Sequence, residues 1–480
     1  MIEFGTDGWR AVIADTFTFE NLRLVSQAVA CWVNKRHQRD GPAQVVVGYD
    51  TRFLSDRFAM DTARVLAANG IKTWLTRTDA PTPTVSFNVK HRQADAGIVI
   101  TASHNAPRYN GFKVKAAYGG AATPGQCVEI EDELRRIQED GGKVNMMDFE
   151  TALAEDLIIR FDPSWMYYQH LSELVDLDKI SRAELTVVAD AMWGAGRGAF
   201  TGILSRTRTH ITEIRGQLNP GFGGIHPEPI LIHLNELVAA VQRAQAGVGL
   251  ATDGDADRIG AIDAQGNFID PHHIFALALR HLVENNGMRG EVVKTVSTTL
   301  MIDALAKAYG LKLHETPVGF NHISDLMMNN DILIGGEESG GISVRGHIPE
   351  GDGILMGLLL LEIMAEARAP LHEVVADLQS KYGPAHYARI DAKLAQKLPK
   401  RDVVQRLVDS VPSHLAGENV NRVDTLDGVK YYLSDGSWLL IRPSGTEPVL
   451  RVYSEAHSPE MMKALLMAGA DMGKHVVGQN

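Results

Sequence analysis

The chain has little cysteine and no long apolar segment. Only Cys31 and Cys127 occur among its 480 residues, and their spacing fits neither a disulfide framework nor a zinc site. The longest run of apolar residues and glycine, 353–361, is far shorter than the roughly 20 residues that a membrane-spanning helix needs. We therefore expect a buried helix at this run and a protein of the reducing cytoplasm, with no membrane partner.

The chain also lacks an excess of basic residues. It has 59 acidic and 47 basic residues, with a formal net charge of −12, so we expect no binding to nucleic acid, which requires a basic surface. The N-terminal residues Met-Ile-Glu-Phe-Gly have neither the basic nor the apolar region of an export signal. An acidic chain can still bind a small anion where arginine and lysine cluster in a cleft.

The length and the pattern of the chain predict several α/β domains. A prior of about 150 residues per domain predicts three or four. Short β-branched runs alternate with helical patterns, which is typical of βαβ units around largely parallel sheets. The predicted strands of this kind are 44–48, 71–75, 96–100, 185–188, 248–252, 259–263, 292–296 and 332–334. The last part differs, with predicted strands at 438–441 and 449–453 around a tight loop.

Changes in composition predict the domain boundaries. Gly141-Gly142 and the polar stretch behind it suggest a first break near residue 155, and Tyr382-Gly383-Pro384 is typical of a linker. The predicted domains are 1–155, 156–265, 266–375 and 384–480.

Five polar loops punctuated by glycine occur along the chain, at 4–10, 101–105, 253–258, 336–340 and 442–448. In the second, Ser103 follows a predicted strand, where the loops of an α/β sheet carry active sites. Ser103 could be a nucleophile with His104 and Lys113 nearby, or a turn or capping residue.

The third loop alternates Asp253, Asp255 and Asp257. In an extended segment, alternate side chains share one face and can converge on a cation. Carboxylates favour a hard cation, with Mg²⁺ the default for a phosphate substrate. The other interpretation is a solvated turn.

The fifth loop offers a guanidinium fork, two hydroxyls and backbone amides between two predicted strands. These groups suit a phosphate dianion, although a plain β-turn is equally consistent with them. They come from Arg442, Ser444, Gly445 and Thr446.

The two remaining loops are weaker signals. Glu337 and Ser339 follow a predicted strand and suit the vicinal hydroxyls of a sugar, but surface acids of this kind are common. Arg10 could contact a phosphate, or could belong to a loop that only caps a strand.

In this combination and order, the five loops resemble the α-D-phosphohexomutase family, and most of all its bacterial phosphoglucomutase/phosphomannomutase branch. The resemblance extends over nearly the whole chain. It implies four domains around a central cleft: three related α/β domains with mixed sheets and a smaller C-terminal α+β domain. It also implies an intramolecular phosphotransferase, a monomer or homodimer, that interconverts hexose 1-phosphate and hexose 6-phosphate through a phosphoserine and a bisphosphate intermediate. Glucose is the expected sugar and mannose the next.

The resemblance implies roles for single residues. Ser103 would be the phosphorylated serine, Lys113 would move the hydroxyl proton, and Arg10 and His104 would join them at the reaction centre. Mg²⁺ would be bound by Ser103, Asp253, Asp255 and Asp257, and a hexose 1,6-bisphosphate would be the activator. The substrate-binding set would be Arg258, Gly319, Asn321, Glu337, Ser339, Arg442, Ser444, Gly445, Thr446 and Arg451. Asn321 stands where the family normally has lysine.

Four other functions stay open at this point. The enzyme could release a hexose 1,6-bisphosphate as its product, which weaker retention at Asn321 would favour, or it could be a phosphoglucosamine mutase. A metal-dependent phosphatase would have no use for the phosphate loop at 442–446. A non-catalytic sugar-phosphate binding protein would not need Ser103, Lys113 and three aspartates.

Overall fold

The computed structural model describes residues 2–5, 8–394, 399–443 and 449–478. The chain divides into two compact units, Met1–Glu291 with Gly319–Val374, and Val292–Val318 with Val375–Asn480. Within the described ranges, no helix has both the length and the apolar character that crossing a membrane requires.

The N-terminal region forms a mixed sheet of six strands. Its strands are β1 (Trp9–Val12), β2 (Gln44–Tyr49), β3 (Lys72–Thr76), β4 (Ala96–Ile100), β5 (Tyr109–Ala116) and β6 (Ile158–Phe161). Its helices are α1 (Phe19–Arg36), α2 (Ser55–Ala68), α3 (Thr82–His91), α4 (Pro124–Glu139) and α5 (Phe149–Ala154). The strand order is β1-β5-β4-β2-β3-β6, with β4, β2, β3 and β6 parallel and β5 antiparallel to both of its neighbours. The loops after β2 and β4 therefore leave the same edge of the sheet.

A second mixed sheet follows in the same unit. Its strands are β7 (Thr186–Asp190), β8 (His210–Ile214), β9 (Val248–Thr252), β10 (Ile259–Asp263) and β11 (Phe268–Ile269). The helices are α6 (Ser164–Leu174), α7 (Leu177–Arg182), α8 (Ala199–Leu204) and α9 (Asn235–Ala244), with short 3₁₀ turns at Phe222–Gly224 and Leu231–His233. The order is β11-β10-β9-β7-β8, and β9 and β10 form an antiparallel pair around the aspartate loop.

The third region contributes elements to both units. These elements are α10 (Pro271–Glu284), β12 (Glu291–Thr295), α11 (Met301–Tyr309), β13 (Leu313–Thr316), α12 (Phe320–Asn329), β14 (Ile332–Gly336), β15 (Ile342–Val344), α13 (Gly353–Ala367) and α14 (Leu371–Tyr382). β12 and β13 are parallel, whereas β14 and β15 are antiparallel. α13 contains the predicted buried helix, and the Asp352 carboxylate caps it by accepting hydrogen bonds from the amides of Ile354 and Leu355, each 2.9 Å long.

The C-terminal region is α+β, as the resemblance implies. It consists of β16 (His386–Lys393), α15 (Lys400–Asp409), β17 (His414–Leu415), β18 (Glu418–Asp424), β19 (Val429–Leu433), β20 (Trp438–Pro443), β21 (Val449–Ala456) and α16 (Pro459–Val477). The strands lie in the order β16-β21-β20-β19-β18-β17, and every neighbouring pair is antiparallel.

The predicted strands are confirmed. Those at 96–100, 248–252 and 259–263 have the predicted bounds, and the others differ by three residues or fewer at either end.

A chain of polar side chains joins α6 to the loop before α13. The Tyr167 hydroxyl donates a 2.6 Å hydrogen bond to Asp352 Oδ2, and His347 Nε2 lies 2.9 Å from the same oxygen. On the other side of its ring, His347 Nδ1 lies 3.0 Å from Nε2 of His170, which stacks on Phe87. Burial and the neighbouring His347 lower the pKa of His170 to about 4. The folded state therefore holds His170 neutral at pH values where the unfolded chain protonates it.

This contrast predicts a pH dependence of stability. Between pH 6.5 and pH 4 the unfolded chain binds a proton at His170 that the folded protein excludes, so the free energy of unfolding falls on acidification. After discounting for partial exposure, we expect a loss of about 1 kcal/mol from this group between pH 7 and pH 5. The His170→Gln variant should lose correspondingly less than the wild type in urea unfolding at the two pH values. His210→Gln, at an exposed position of β8, should behave like the wild type. If His170→Gln lost as much free energy of unfolding between pH 7 and pH 5 as the wild type, His170 would not be the group responsible.

Candidate active site

The loop after β4 presents Ser103 in an unusual backbone conformation. Ser103 is buried and has φ 52°, in the left-handed region that costs a non-glycine residue roughly 1–2 kcal/mol. Its amide donates to Thr101 Oγ1 (2.9 Å), and its carbonyl oxygen accepts from Arg52 Nη2 (2.5 Å). Its hydroxyl donates to Asp253 Oδ2 (2.8 Å) and lies 3.3 Å from His104 Nδ1. The predicted nucleophile is thus held against the predicted metal site.

The three aspartates between β9 and β10 converge. Asp253, Asp255 and Asp257 are buried, and each offers a carboxylate oxygen within 4.8 Å of the others. The three carboxylates converge as predicted, in the loop between the predicted strands 248–252 and 259–263, although the alternation does not act through an extended segment. β9 ends at Thr252, and a turn with Ala256 at φ 57° brings the three carboxylates together.

Lys113, on β5, offsets part of this negative charge. Its Nζ lies 3.0 Å from Asp255 Oδ2 and 3.0 Å from Asp257 Oδ2. Burial alone would raise the pKa of Asp255, but the charge of Lys113 and hydrogen bonds from Thr82 and Lys113 lower it below its usual value. For Asp253, burial and the charges of Asp257 and Asp255 raise the pKa well above its usual value. The cluster therefore contains more negative charge than its neighbours neutralise.

The donor set fits a hard divalent cation. Within the described ranges, Asp255 Oδ1 and Asp257 Oδ1 are buried and accept no hydrogen bond. A buried carboxylate oxygen without a hydrogen bond is costly, and a cation with oxygen ligands removes that cost. Asp253, Asp255 and Asp257 can therefore hold a metal ion, with the Ser103 hydroxyl beside them.

Two predicted guanidinium groups lie at the same place. Arg10 donates through Nη1 to Asn105 Oδ1, two residues beyond Ser103 (2.7 Å). Arg258 follows the aspartate loop, with its amide on Asp253 Oδ1 (3.2 Å) and its Nε 3.8 Å from Asp257 Oδ1. Burial would lower the pKa of Arg258, but the charges of Asp257 and Asp253 raise it above the usual value. Arg10 therefore places positive charge on the serine loop, and Arg258 places it on the aspartate loop.

The loop after β14 has polar atoms without partners. Glu337 Oε1 accepts from the Gly319 amide (2.9 Å), and burial together with the charge of Glu338 raises the pKa of Glu337 to about 7. Ser339 Oγ and Asn321 Oδ1 are buried, and neither makes a hydrogen bond in the part of the chain that the structure describes. Such atoms are expected where a ligand completes the hydrogen bonding. The charges of Arg258 and Asp257 act on Glu337, so this loop adjoins the aspartate cluster.

The C-terminal unit brings two further predicted residues together. Arg442 lies in β20, not in the loop between the strands as the sequence suggested, and it faces Arg451 of β21 in the sheet register. The buried Asp427 accepts a 2.7 Å hydrogen bond from Arg442 Nε. Outside the described residues lie the other predicted members of this loop, Ser444, Gly445 and Thr446.

Sequence reasoning missed three residues that touch the site. Asp50 and Arg52 follow β2 and lie behind the Ser103 loop, and their position after a central parallel strand is the same signal that identified Ser103. Thr82, at the start of α3, donates to Asp255 Oδ2 (2.6 Å). Nothing in the sequence indicates Thr82, because its partner lies 173 residues further along the chain.

Four family models match almost the whole chain. They describe phosphoglucomutase/phosphomannomutase alpha/beta/alpha domains I, II and III and the C-terminal domain, over residues 1–141, 166–266, 270–382 and 390–472.

Full-length relatives agree with these models. A phosphoglucomutase/phosphomannomutase of Thermococcus kodakarensis is 30% identical, over 97% of each chain. A Pyrococcus furiosus protein named a probable phosphoglucosamine mutase is 32% identical, over 99% of this chain and 98% of its own. A solved structure from Thermus thermophilus, whose assignment as a phosphomannomutase is provisional, is 34% identical with a TM-score of 0.85, over 98% of each chain.

The crowding of three carboxylates predicts opposite effects of one substitution. Asp253→Asn replaces a buried carboxyl whose ionisation burial and its neighbours oppose, so it should raise the melting temperature of the metal-free protein by about 1–2 °C. It should also abolish the rise in melting temperature that Mg²⁺ gives the wild type, because a lost ligand weakens binding to the folded state. Differential scanning fluorimetry with and without Mg²⁺ measures both effects. Asp178→Asn, at an exposed position of α7, is the control and should keep the Mg²⁺ response. A full Mg²⁺ response in Asp253→Asn would count against a metal site here.

Proposed function

Because the chain belongs to the phosphoglucomutase/phosphomannomutase family, whose members are phosphotransferases of the mutase type, we propose that it interconverts hexose 1-phosphate and hexose 6-phosphate through a phosphoserine at Ser103. One observation carries the proposal. The Ser103 hydroxyl lies 2.8 Å from Asp253, within a buried group of three carboxylates and a lysine.

The proposed reaction consists of two phosphoryl transfers. In the first, the sugar hydroxyl attacks the phosphorus, the bond from phosphorus to Ser103 Oγ breaks, and a hexose 1,6-bisphosphate forms. After this intermediate turns over, Ser103 Oγ takes the other phosphoryl group, so the phosphate has changed position on the sugar and the phosphoserine is restored. A free hexose 1,6-bisphosphate would act as an activator by phosphorylating an unmodified Ser103. Lys113 is the group that we assign to moving the hydroxyl proton.

Positive charge is what this chemistry requires most. Bound Mg²⁺, held by Asp253, Asp255, Asp257 and the phosphoserine, would supply charge to the transferring oxygens. Arg10 and Arg258 add guanidinium groups, the first bonded to Asn105 Oδ1 and the second with Nε 3.8 Å from Asp257 Oδ1. His104, whose Nδ1 lies 3.3 Å from the Ser103 hydroxyl, is a further polar group at the proposed reaction centre.

The remaining predicted residues bind the substrate. Glu337 and Ser339 receive the sugar hydroxyls, supported by the buried Ser339 Oγ, which lacks a partner among the described residues. Gly319 and Asn321 belong to the same subsite, where the Gly319 amide fixes Glu337. The phosphate that is not transferred is assigned to Arg442, Ser444, Gly445, Thr446 and Arg451.

The identity of the sugar is a separate part of the proposal, because the relatives are named for different sugars. We assign glucose first, with mannose accepted, and the enzyme acts in the cytoplasm as a monomer or homodimer. The second candidate is glucosamine, which the name of the Pyrococcus furiosus relative favours.

Phosphorus NMR distinguishes these possibilities. With Mg²⁺ and glucose 1-phosphate, we expect conversion to glucose 6-phosphate that a trace of glucose 1,6-bisphosphate accelerates. Parallel samples with mannose and glucosamine phosphates rank the sugars. Accumulation of inorganic phosphate would identify a phosphatase, and accumulation of bisphosphate would identify a bisphosphate-producing enzyme.

The role of Ser103 makes a separate prediction. Ser103→Ala should lower kcat by more than about 1,000-fold, because the oxygen that gives up the phosphoryl group in the first transfer and accepts it in the second is lost. Calorimetry should show that glucose 1-phosphate still binds. Ser172→Ala, at an exposed position of α6, is the matched control and should keep full activity. Normal turnover in Ser103→Ala would overturn the phosphoserine mechanism.

A further inference from the structure

We infer that the buried ion pair of Arg52 and Asp50 is a positioning device that holds Ser103 in its left-handed conformation and so directs its hydroxyl at the aspartate cluster. The inference rests on the proposed function, because it assigns to this pair a part in the phosphoserine reaction. Neither side chain would touch the transferring group.

Arg52 binds the backbone of the serine loop from behind. Its side chain is fully buried. Nη2 donates to the carbonyl oxygens of Ser103 (2.5 Å) and Asn105 (2.7 Å), and Nη1 donates to those of Ala106 (3.0 Å) and Tyr109 (3.0 Å). One guanidinium group therefore donates hydrogen bonds to four carbonyl oxygens between residues 103 and 109. A planar fork with five donors can do this, whereas the ammonium group of lysine has only three donors.

Asp50 completes the contact on the amide side of Ser103. Its Oδ2 accepts from Arg52 Nε (3.0 Å) and from the Thr101 hydroxyl (2.6 Å), while Oδ1 accepts from the Ser55 hydroxyl (3.0 Å). Thr101 Oγ1 in turn accepts from the amide of Ser103 (2.9 Å). The N–H and the C=O of Ser103 are thus both fixed by the same ion pair.

This fixing matters because the conformation of Ser103 is unfavourable by itself. A residue with a Cβ prefers negative φ, yet Ser103 has φ 52°. Released from the ion pair, the loop would relax and carry Oγ away from Asp253 Oδ2, now 2.8 Å distant. A displacement of about 1 Å costs roughly 100-fold in rate. We expect the effect on kcat more than on KM, because Glu337 of the proposed sugar subsite is held by the Gly319 amide and not by the serine loop.

The chain offers a matched control. Arg215 is also buried and pairs with Asp190 through Nε (2.8 Å). Its Nη1 donates to the carbonyl oxygen of His233 (3.1 Å), and its guanidinium lies over the ring of Trp193. None of these contacts involves the Ser103 loop. Arg215→Lys therefore reports the general cost of weakening a buried ion pair.

The experiment compares Arg52→Lys with Arg215→Lys in the full chain. Three quantities are measured: the melting temperature, kcat and KM for glucose 1-phosphate with saturating glucose 1,6-bisphosphate, and hydrogen exchange of the backbone amides of 101–109. Both variants should lose thermal stability. Only Arg52→Lys should lose about 100-fold in kcat, with KM changed by less than about 3-fold and faster exchange in 101–109. Arg215→Lys should keep kcat within about 3-fold of the wild type.

A milder variant covers the possibility that Arg52→Lys does not fold. Thr101→Val removes the hydroxyl that links Asp50 to the Ser103 amide and leaves Arg52 in place, so a loss of about 10-fold in kcat and faster exchange in 101–109 are expected.

Two results would overturn the inference: an unchanged kcat in both Arg52→Lys and Thr101→Val, or a lower kcat with unaltered exchange in 101–109. If the wild type shows no mutase turnover, the proposed function fails. The exchange of 101–109 then still decides whether the ion pair holds the loop.

Discussion

Mutual repulsion among Asp253, Asp255 and Asp257 is the constraint on which the arrangement of the first unit depends. Buried like charges repel far more strongly than they would in water, and each disfavours the ionised form of the next. No single element of the chain supplies enough compensation. Lys113 comes from β5 and Thr82 from α3, so the aspartate loop of the second sheet takes two of its stabilising partners from the region of the first sheet.

The same constraint explains where glycine is required. Loops that share one charge cluster must approach closely, and a side chain at the contact would prevent this. A Cβ on Gly254 would lie 2.4 Å from the carbonyl oxygen of Ser103, and a Cβ on Gly353 would lie 2.2 Å from that of Arg258. Gly254 therefore allows the serine loop to pack against the aspartate loop. Gly353 allows the start of α13 to pack against the backbone of Arg258. Glycine at these two positions therefore allows the loops that carry the charged residues to pack against each other.

Much of this could be predicted from the sequence, but the limits are physical. The strands 96–100 and 248–252 are short apolar runs that are fully buried, so their pattern locates the strands and the loops that follow them. Ser103 and the aspartates were found by that position. The same strands bracket the loop that carries the aspartates, but alternation of aspartates does not distinguish an extended segment from the turn at Ala256 that brings them together. Thr82 acts through Asp255, which only the folded chain brings near, and a periodic pattern carries no information about such a pair.

The positive and negative charges of the site can be compared one by one. Lys113 contacts two of the three carboxylates and offsets one negative charge. The raised pKa of Asp253 means that, without a metal ion, a proton can take the place of missing positive charge. A divalent cation makes that proton unnecessary and balances the two remaining charges. A phosphoryl group on Ser103 would then add nearly two negative charges at pH 7. Among the described residues, two predicted guanidinium groups contact oxygens of these loops: Arg10 contacts Asn105 Oδ1, and Arg258 contacts Asp257 Oδ1. Their two positive charges would equal the negative charge that the phosphoryl group adds. The charges of the cluster would therefore balance with a cation and a phosphoryl group in place, and its excess negative charge without them suits it to hold a cation.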